Sequence, residues 1–153
     1  MTDVRWLNEG EMAAWRSFVE AHHDLMSAIE GDLAPSGLTL GDYQVLVYLT
    51  EAEDQQLRMC DLAEKLQLSP SGLTRRLDGL VKAGWVERRS SDVDRRVMFA
   101  GVTEAGRAHL ASAAPAHVAS VRARMIDVLD CDDHAAIARI FQKIRAALDD
   151  GCR

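Results

Sequence analysis

Aromatic residues make up 5% of this 153-residue chain, and it has three prolines and three cysteines. With proline and glycine so thinly spread, neither a low-complexity tail nor a long flexible linker is expected. Cys60, Cys131 and Cys152 are too few and too scattered for a disulfide framework, and no CxxC pair suggests structural zinc, so reduced thiols are expected. No stretch approaches the ~18 consecutive apolar residues of a membrane span. The start MTDVRWLNEGEM lacks the basic region and apolar run of a signal peptide, which predicts a cytoplasmic protein that does not engage a membrane. GxSxG, Walker and GxGxxG strings are absent and no carboxylate pair is placed for acid–base work, so no enzyme activity and no cofactor are expected. What is present is 48% hydrophobic content, enough for one folded domain over residues 1–153.

The net charge of −6 argues at first against nucleic acid, whose binding depends on neutralising phosphates. Its distribution reverses the impression. Residues 55–100 hold nine Lys or Arg against six acids, whereas the remainder holds nine bases and eighteen acids. A positive island in an acidic molecule orients a protein on DNA.

Apolar periodicity frames that island. Trp15, Phe18, Val19, Leu25, Met26, Ile29 and Leu33 recur at threes and fours, predicting a helix over 11–33. Pro35 and Gly37 break it, and Thr39 can cap a second helix carrying Tyr43, Val45, Leu46 and Leu49 to Glu51, with 51–56 as a connector. From Arg58, the residues Met59, Leu62, Ala63 and Leu66 mark the face of a three-turn helix. Ser69 can then accept from free backbone amides as an N-cap, and Pro70 at the first helical position loses nothing by lacking an N–H. The new helix has an inner face of Leu73, Leu77, Leu80 and Val81, with Gly84 suited to its C-terminus.

The outer face of this helix is short and polar near its start and basic further on. Those are the properties of a helix whose N-terminal residues enter a major groove ~12 Å wide. Ser71 and Thr74 bring hydroxyls to base edges and Arg75 can reach guanine, with Ser69 at the helix start; Arg76 is expected to reach phosphate or pack beside the following hairpin. That hairpin consists of residues 85–89 and 96–102 around a polar turn, anchored by Trp85 and Phe99. Arg95 and Arg96 lie at its tip, where an arginine can enter the negative potential of a narrow minor groove. Asp92 and Asp94 can brace the tip by holding a neighbouring guanidinium.

The string LAEKLQLSPSGLTRRLDGLVKAGWVERRSSDVDRRVMFAGVTEAGRAHL, with its Asp-Arg-Arg wing and the Thr-Glu-Ala-Gly opening of the next helix, resembles the signature region of the MarR family of bacterial transcriptional regulators. The resemblance implies a mainly α fold with a small β-hairpin: a winged helix-turn-helix module over 38–102 between dimerisation helices at 1–35 and 103–150. It implies a homodimer that reads a pseudo-palindrome in double-stranded DNA as a repressor, with Arg96 entering the minor groove and Asp94 and its neighbours bracing the wing. It also implies a small aromatic or anionic effector, for which Trp15, Arg16, His22, His23 and Tyr43 are the candidate contacts.

The C-terminal sequence agrees with a dimer. A capped helix is expected from Thr103 to about Leu129, bent at Pro115, followed by a last helix over 133–148 with Ile137, Ile140, Phe141, Ile144 and Leu148 on one stripe. These faces have no evident partner layer within one chain, although an intramolecular bundle is the alternative. No compact His/Glu/Cys cluster points to a metal, and Cys60 is expected to be a packed thiol. A protein-interaction adaptor that uses the winged fold without DNA is the competing function.

Overall fold

Helix α1 (Glu9–Leu33) starts at a reciprocal cap: Asn8 Oδ1 accepts from the Glu11 amide and Glu11 Oε2 accepts from the Asn8 amide, both at 2.9 Å. In the computed structural model, which describes residues 4–150, this places the start two residues before the expected residue 11. A 3₁₀ turn (Ala34–Ser36) ends at Gly37, whose φ of +74° is the left-handed conformation glycine tolerates. Helix α2 (Leu40–Glu51) carries the expected Thr39 cap, completed by Asp42 as a capping box.

Strand β1 (Gln56–Arg58) and helix α3 (Met59–Lys65) follow, then α4 (Pro70–Lys82), β2 (Val86–Ser90) and β3 (Met98–Val102). Two expectations are corrected here. Helix α3 is seven residues long rather than three turns, and β1 occupies sequence read as connector and helix start. The hairpin is therefore the outer part of a three-stranded antiparallel sheet of order β1-β3-β2. Leu57 pairs with Ala100 and Arg88 with Ala100 from the other side, so β3 is central. Gln55, at φ +55°, turns the chain into β1, and its carbonyl accepts from the Val102 amide at 3.1 Å.

Helix α5 (Glu104–Val121) is capped by Thr103, whose hydroxyl accepts from the Gly106 amide at 3.0 Å and donates to the Gly84 carbonyl at 2.6 Å. Pro115 stands inside α5 without ending it. Regular α geometry stops at Val121, short of the expected Leu129, and gives way to a π turn (Arg122–Ile126) in which the Asp127 amide bonds back to the Arg122 carbonyl. Helix α6 (Cys131–Asp150) opens on a reciprocal Asp130–Asp133 cap, so it starts before the expected residue 133.

Two compact units result: Ile29–His117, and Met1–Ala28 with Val118–Arg153. The expected module 38–102 lies within the first. Its core is a continuous cluster including Leu33, Leu46, Leu49, Leu62, Leu73, Leu77, Leu80, Val86 and Ala100. Each fully buried leucine of this set contributes about 1.5–3 kcal/mol relative to exposure. Leu73, Leu77 and Leu80 are the expected inner face of α4, whereas Val81, assigned to that face, is exposed because it lies past its edge.

Candidate nucleic-acid interface

The turn between α3 and α4 is a closed hydrogen-bonded unit. The Leu68 amide donates to the Ala63 carbonyl at 2.9 Å and the Gln67 amide to Glu64 at 3.0 Å, the Schellman pattern, with Gln67 at φ +52° where glycine is favoured. The α4 end repeats the pattern through Trp85 to Leu80 and Gly84 to Val81, there with glycine at φ +77°. Because the left-handed position costs a residue with a Cβ about 1 kcal/mol, Gln67→Gly is expected to raise stability by about 0.5–1 kcal/mol. Thermal melts should show this as a rise of roughly 1–4 °C; a lower melting temperature would mean that the Gln67 side chain contributes more than its backbone strain removes.

At the start of α4 the Ser69 hydroxyl accepts from the Gly72 amide at 3.1 Å, as its N-cap role requires, and lies 3.2 Å from the Ser71 hydroxyl. Ser71, Thr74 and Arg75 are exposed on one side of the helix. Thr74 Oγ1 donates to the Pro70 carbonyl at 2.9 Å, which leaves its methyl group and lone pairs for a base edge. Among the described residues nothing pairs with Arg75. Arg76 is placed differently from expectation. Its Nη1 lies 3.3 Å from Thr39 Oγ1 and 3.4 Å from Asp42 Oδ1, so it bonds to the capping box of α2 and not beside the wing. Gly41 leaves room for it, since a Cβ there would sit 2.0 Å from that nitrogen.

The wing turn is organised by short side chains on backbone amides. Ser91 Oγ accepts from the Val93 and Asp94 amides, and Asp94 Oδ1 accepts from the Arg96 amide at 2.9 Å. Asp94 therefore braces the wing through the backbone and not through a guanidinium. Asp92 is exposed, with no hydrogen bond or ion pair among the described residues. Arg95 and Arg96 are exposed beside Val93, which is 98% accessible at the tip. Their side chains have no acidic partner among the described residues.

One residue of this region went unremarked in the sequence beyond its charge. Arg88, on β2, donates through Nη2 to the Thr74 carbonyl at 2.8 Å and pairs with Asp78 Oδ1 at 2.9 Å, joining the wing to α4. Arg88, Thr74 and Arg96 line a single open cleft of about 530 Å³, floored by Met59, Ala63, Leu73 and Met98, with Arg58 and Cys60 at its side. The cleft brings expected contact residues of helix and wing together. Cys60 is exposed, contrary to the expectation of a packed thiol, and its Sγ donates to Asp61 Oδ1 at 3.2 Å. The alternating pattern of β2 could have flagged Arg88, since it shares a strand face with buried Val86.

The residues singled out for an effector fall in separate units. On α1, Trp15 and His22 are linked through Phe18, at centroid distances of 6.1 and 5.7 Å, and Phe18 meets Phe141 of α6 at 5.7 Å. Arg16 and His23 are exposed on the same helix. Tyr43, in the other unit, is buried 4.3 Å from the His117 ring. Burial raises the Tyr43 pKa and lowers that of His117, whose Nδ1 is buried without a hydrogen-bond partner, so burial favours the neutral form of each ring. Among the described residues no cluster of three potential metal ligands exists, and no helix is long and apolar enough to cross a membrane.

Against known proteins, residues 36–97 match a family model described as the MarR family. The chain is 27% identical to the HTH-type transcriptional repressor YetL of Bacillus subtilis over 81% of its own length and 74% of that protein. It superposes on the crystal structure of AbsC, a MarR family transcriptional regulator from Streptomyces coelicolor, with a TM-score of 0.91 and 38% identity, covering 95% of this chain and 99% of that one. Sco3205, another regulator of that family from Streptomyces coelicolor, solved in complex with DNA, gives a TM-score of 0.92 at 32% identity, with 97% and 93% coverage.

Proposed function

The chain belongs to the MarR family and is a DNA-binding transcriptional regulator with no enzymatic role, and from that premise we propose that it represses by binding a pseudo-palindromic operator as a cytoplasmic homodimer. The observation that carries the reading is the set of unpaired arginines on one module. Arg75 on α4 and Arg95 and Arg96 on the wing are exposed and free of acidic partners among the described residues, whereas Arg88, Arg89 and Arg76 are paired. Unpaired cations flanking a helix of small polar residues suit phosphate and base contact. In this reading Ser71, Thr74 and Arg75 face major-groove bases, Ser69 and Arg95 lie near phosphates, and Arg96 enters the minor groove. Arg76 serves the α2 cap instead. A small aromatic or anionic effector belongs to the same reading, with exposed Trp15 and Arg16 offering a ring and a cation.

Selecting bound fragments from genomic DNA tests the proposal. Two half-sites should appear, centred about 10–10.5 base pairs apart or a multiple of that spacing. On the selected site, Arg96→Ala should weaken binding by about 1–3 kcal/mol with the melting curve unchanged. Unchanged affinity would remove the wing from the interface.

A further inference from the structure

Strands place side chains alternately on two faces, and on β2 the face carrying buried Val86 also carries Arg88. An arginine at such a position gives up solvation, so it needs partners. Its Nη2 has two, the Thr74 carbonyl at 2.8 Å and Asp78 Oδ1 at 2.9 Å, both on α4. The carbonyl is a mid-helix one whose first lone pair already serves the helix ladder, so Arg88 takes the second. Among the described residues no other hydrogen bond or ion pair joins α4 to β2 or β3. Beside this bond lies the open cleft of about 530 Å³, lined by Pro70, Leu73 and Thr74 of α4 and by Arg96, Val97 and Met98 of the wing.

We propose that Arg88 is a positioning residue that fixes the wing at a set distance from the recognition helix, so that Arg96 and α4 engage adjacent grooves as one body. The proposal rests on the reading of Arg96 as a wing contact. Arg88 itself touches no DNA in it. The bond ends on the carbonyl of Thr74, a residue assigned to base contact, so a shift of the wing and a shift of the reading face are mechanically the same event.

The test combines a double-mutant cycle with backbone relaxation on the full-length protein. Arg88→Met keeps the aliphatic stem and removes the hydrogen bonds; Asp78→Asn removes the ion pair and leaves Arg88 in place. Arg88→Met should lower affinity for the selected operator about tenfold, with Asp78→Asn in the same direction, and in the Arg96→Ala background the loss should shrink to about twofold or less. The salt dependence of binding should keep its slope, because no phosphate contact is removed; a slope reduced by about two, one contact for each protomer, would make Arg88 a direct contact and overturn the proposal. Additive losses would overturn it as well. In the free protein, amide order parameters over residues 91–97 should fall in Arg88→Met while those of α4 hold. Unchanged wing order parameters contradict the positioning role, whatever the DNA results. Should Arg96→Ala alone leave affinity intact, the wing reading fails, and the relaxation arm still decides whether Arg88 restrains the wing.

Discussion

Gly106→Ala lowers the melting temperature by roughly 6–12 °C, the equivalent of about 3 kcal/mol for a chain of this size. A Cβ at this position would lie 2.1 Å from the Trp85 carbonyl oxygen, 2.9 Å from the Trp85 carbonyl carbon and 3.0 Å from Val102 Cγ2. The obstruction is backbone, which a rotamer change cannot relieve. The backbone is also pinned, because the Thr103 amide donates to the Trp85 carbonyl at 3.0 Å and the Thr103 hydroxyl to Gly84. Helix α5 would have to lift off the turn after α4, straining the stack of His109 on Trp85, whose rings lie 3.9 Å apart, and the 2.9 Å bond between His109 Nε2 and the Ser36 carbonyl. Overpacking of this kind costs about 1–3 kcal/mol, and a rigid obstruction belongs at the upper end. Gly31→Ala is the control. Nothing lies within 4 Å of a Cβ there and the residue is inside α1, so alanine should stabilise by about 0.5–1 kcal/mol. Calorimetry of the two variants should move in opposite directions; parallel shifts would refute the close-approach explanation.

The second large effect concerns assembly. Trp15, Phe18 and Val19 on α1 and Ile140, Phe141, Ile144 and Leu148 on α6 are each at least 42% accessible in the single chain. Exposed apolar side chains on two helices, joined by the Phe18–Phe141 ring contact, mark an interaction site, and a twofold axis would bury every such residue twice. Each large side chain fully buried is worth about 1.5–3 kcal/mol. Phe141→Asp combined with Ile144→Asp therefore should convert the proposed dimer to monomer in sedimentation velocity. Because the second half-site is then no longer presented at high effective concentration, affinity for a two-half-site operator should drop about 10²–10⁴-fold. Affinity for an isolated half-site should barely change. A double variant that stays dimeric would move the interface elsewhere, and equal losses on both DNAs would point to misfolding.

What the sequence makes legible is governed by range. Caps and turns are written within four residues, so Ser69-Pro70, Thr39, Thr103 and Gly84 could be assigned their roles directly. The inner face of α4 follows from the helical period, since Leu73, Leu77 and Leu80 face one core. Strand β1 could not be read that way. Three residues are too short for a period, and the strand exists because Gln55 adopts a left-handed conformation and β3 offers a partner edge. The destination of Arg76 was equally hidden, for it depends on Asp42 lying 34 positions away in the chain. Arg88 and Asp94 show a finer limit. Their charge was visible, but the bonds that place them end on backbone groups, a helix carbonyl for Arg88 beside its Asp78 ion pair and a wing amide for Asp94, and charge alone does not announce such partners. Of the residues proposed to contact DNA, Ser71, Thr74, Arg75 and Arg96 could be named from the sequence, and the structure leaves all four exposed on one module.

The most direct test of phosphate contact by this module is a salt titration of binding to the selected duplex. A protein neutralising about 6–10 phosphates loses roughly 10³–10⁵-fold in affinity between about 50 and 200 mM salt. That fall is the expected result, with Arg95→Ala lowering the slope by about two, one phosphate contact for each protomer of the proposed dimer. An affinity that stays level across the same range would mean that the arginines of this acidic protein do not meet the DNA backbone.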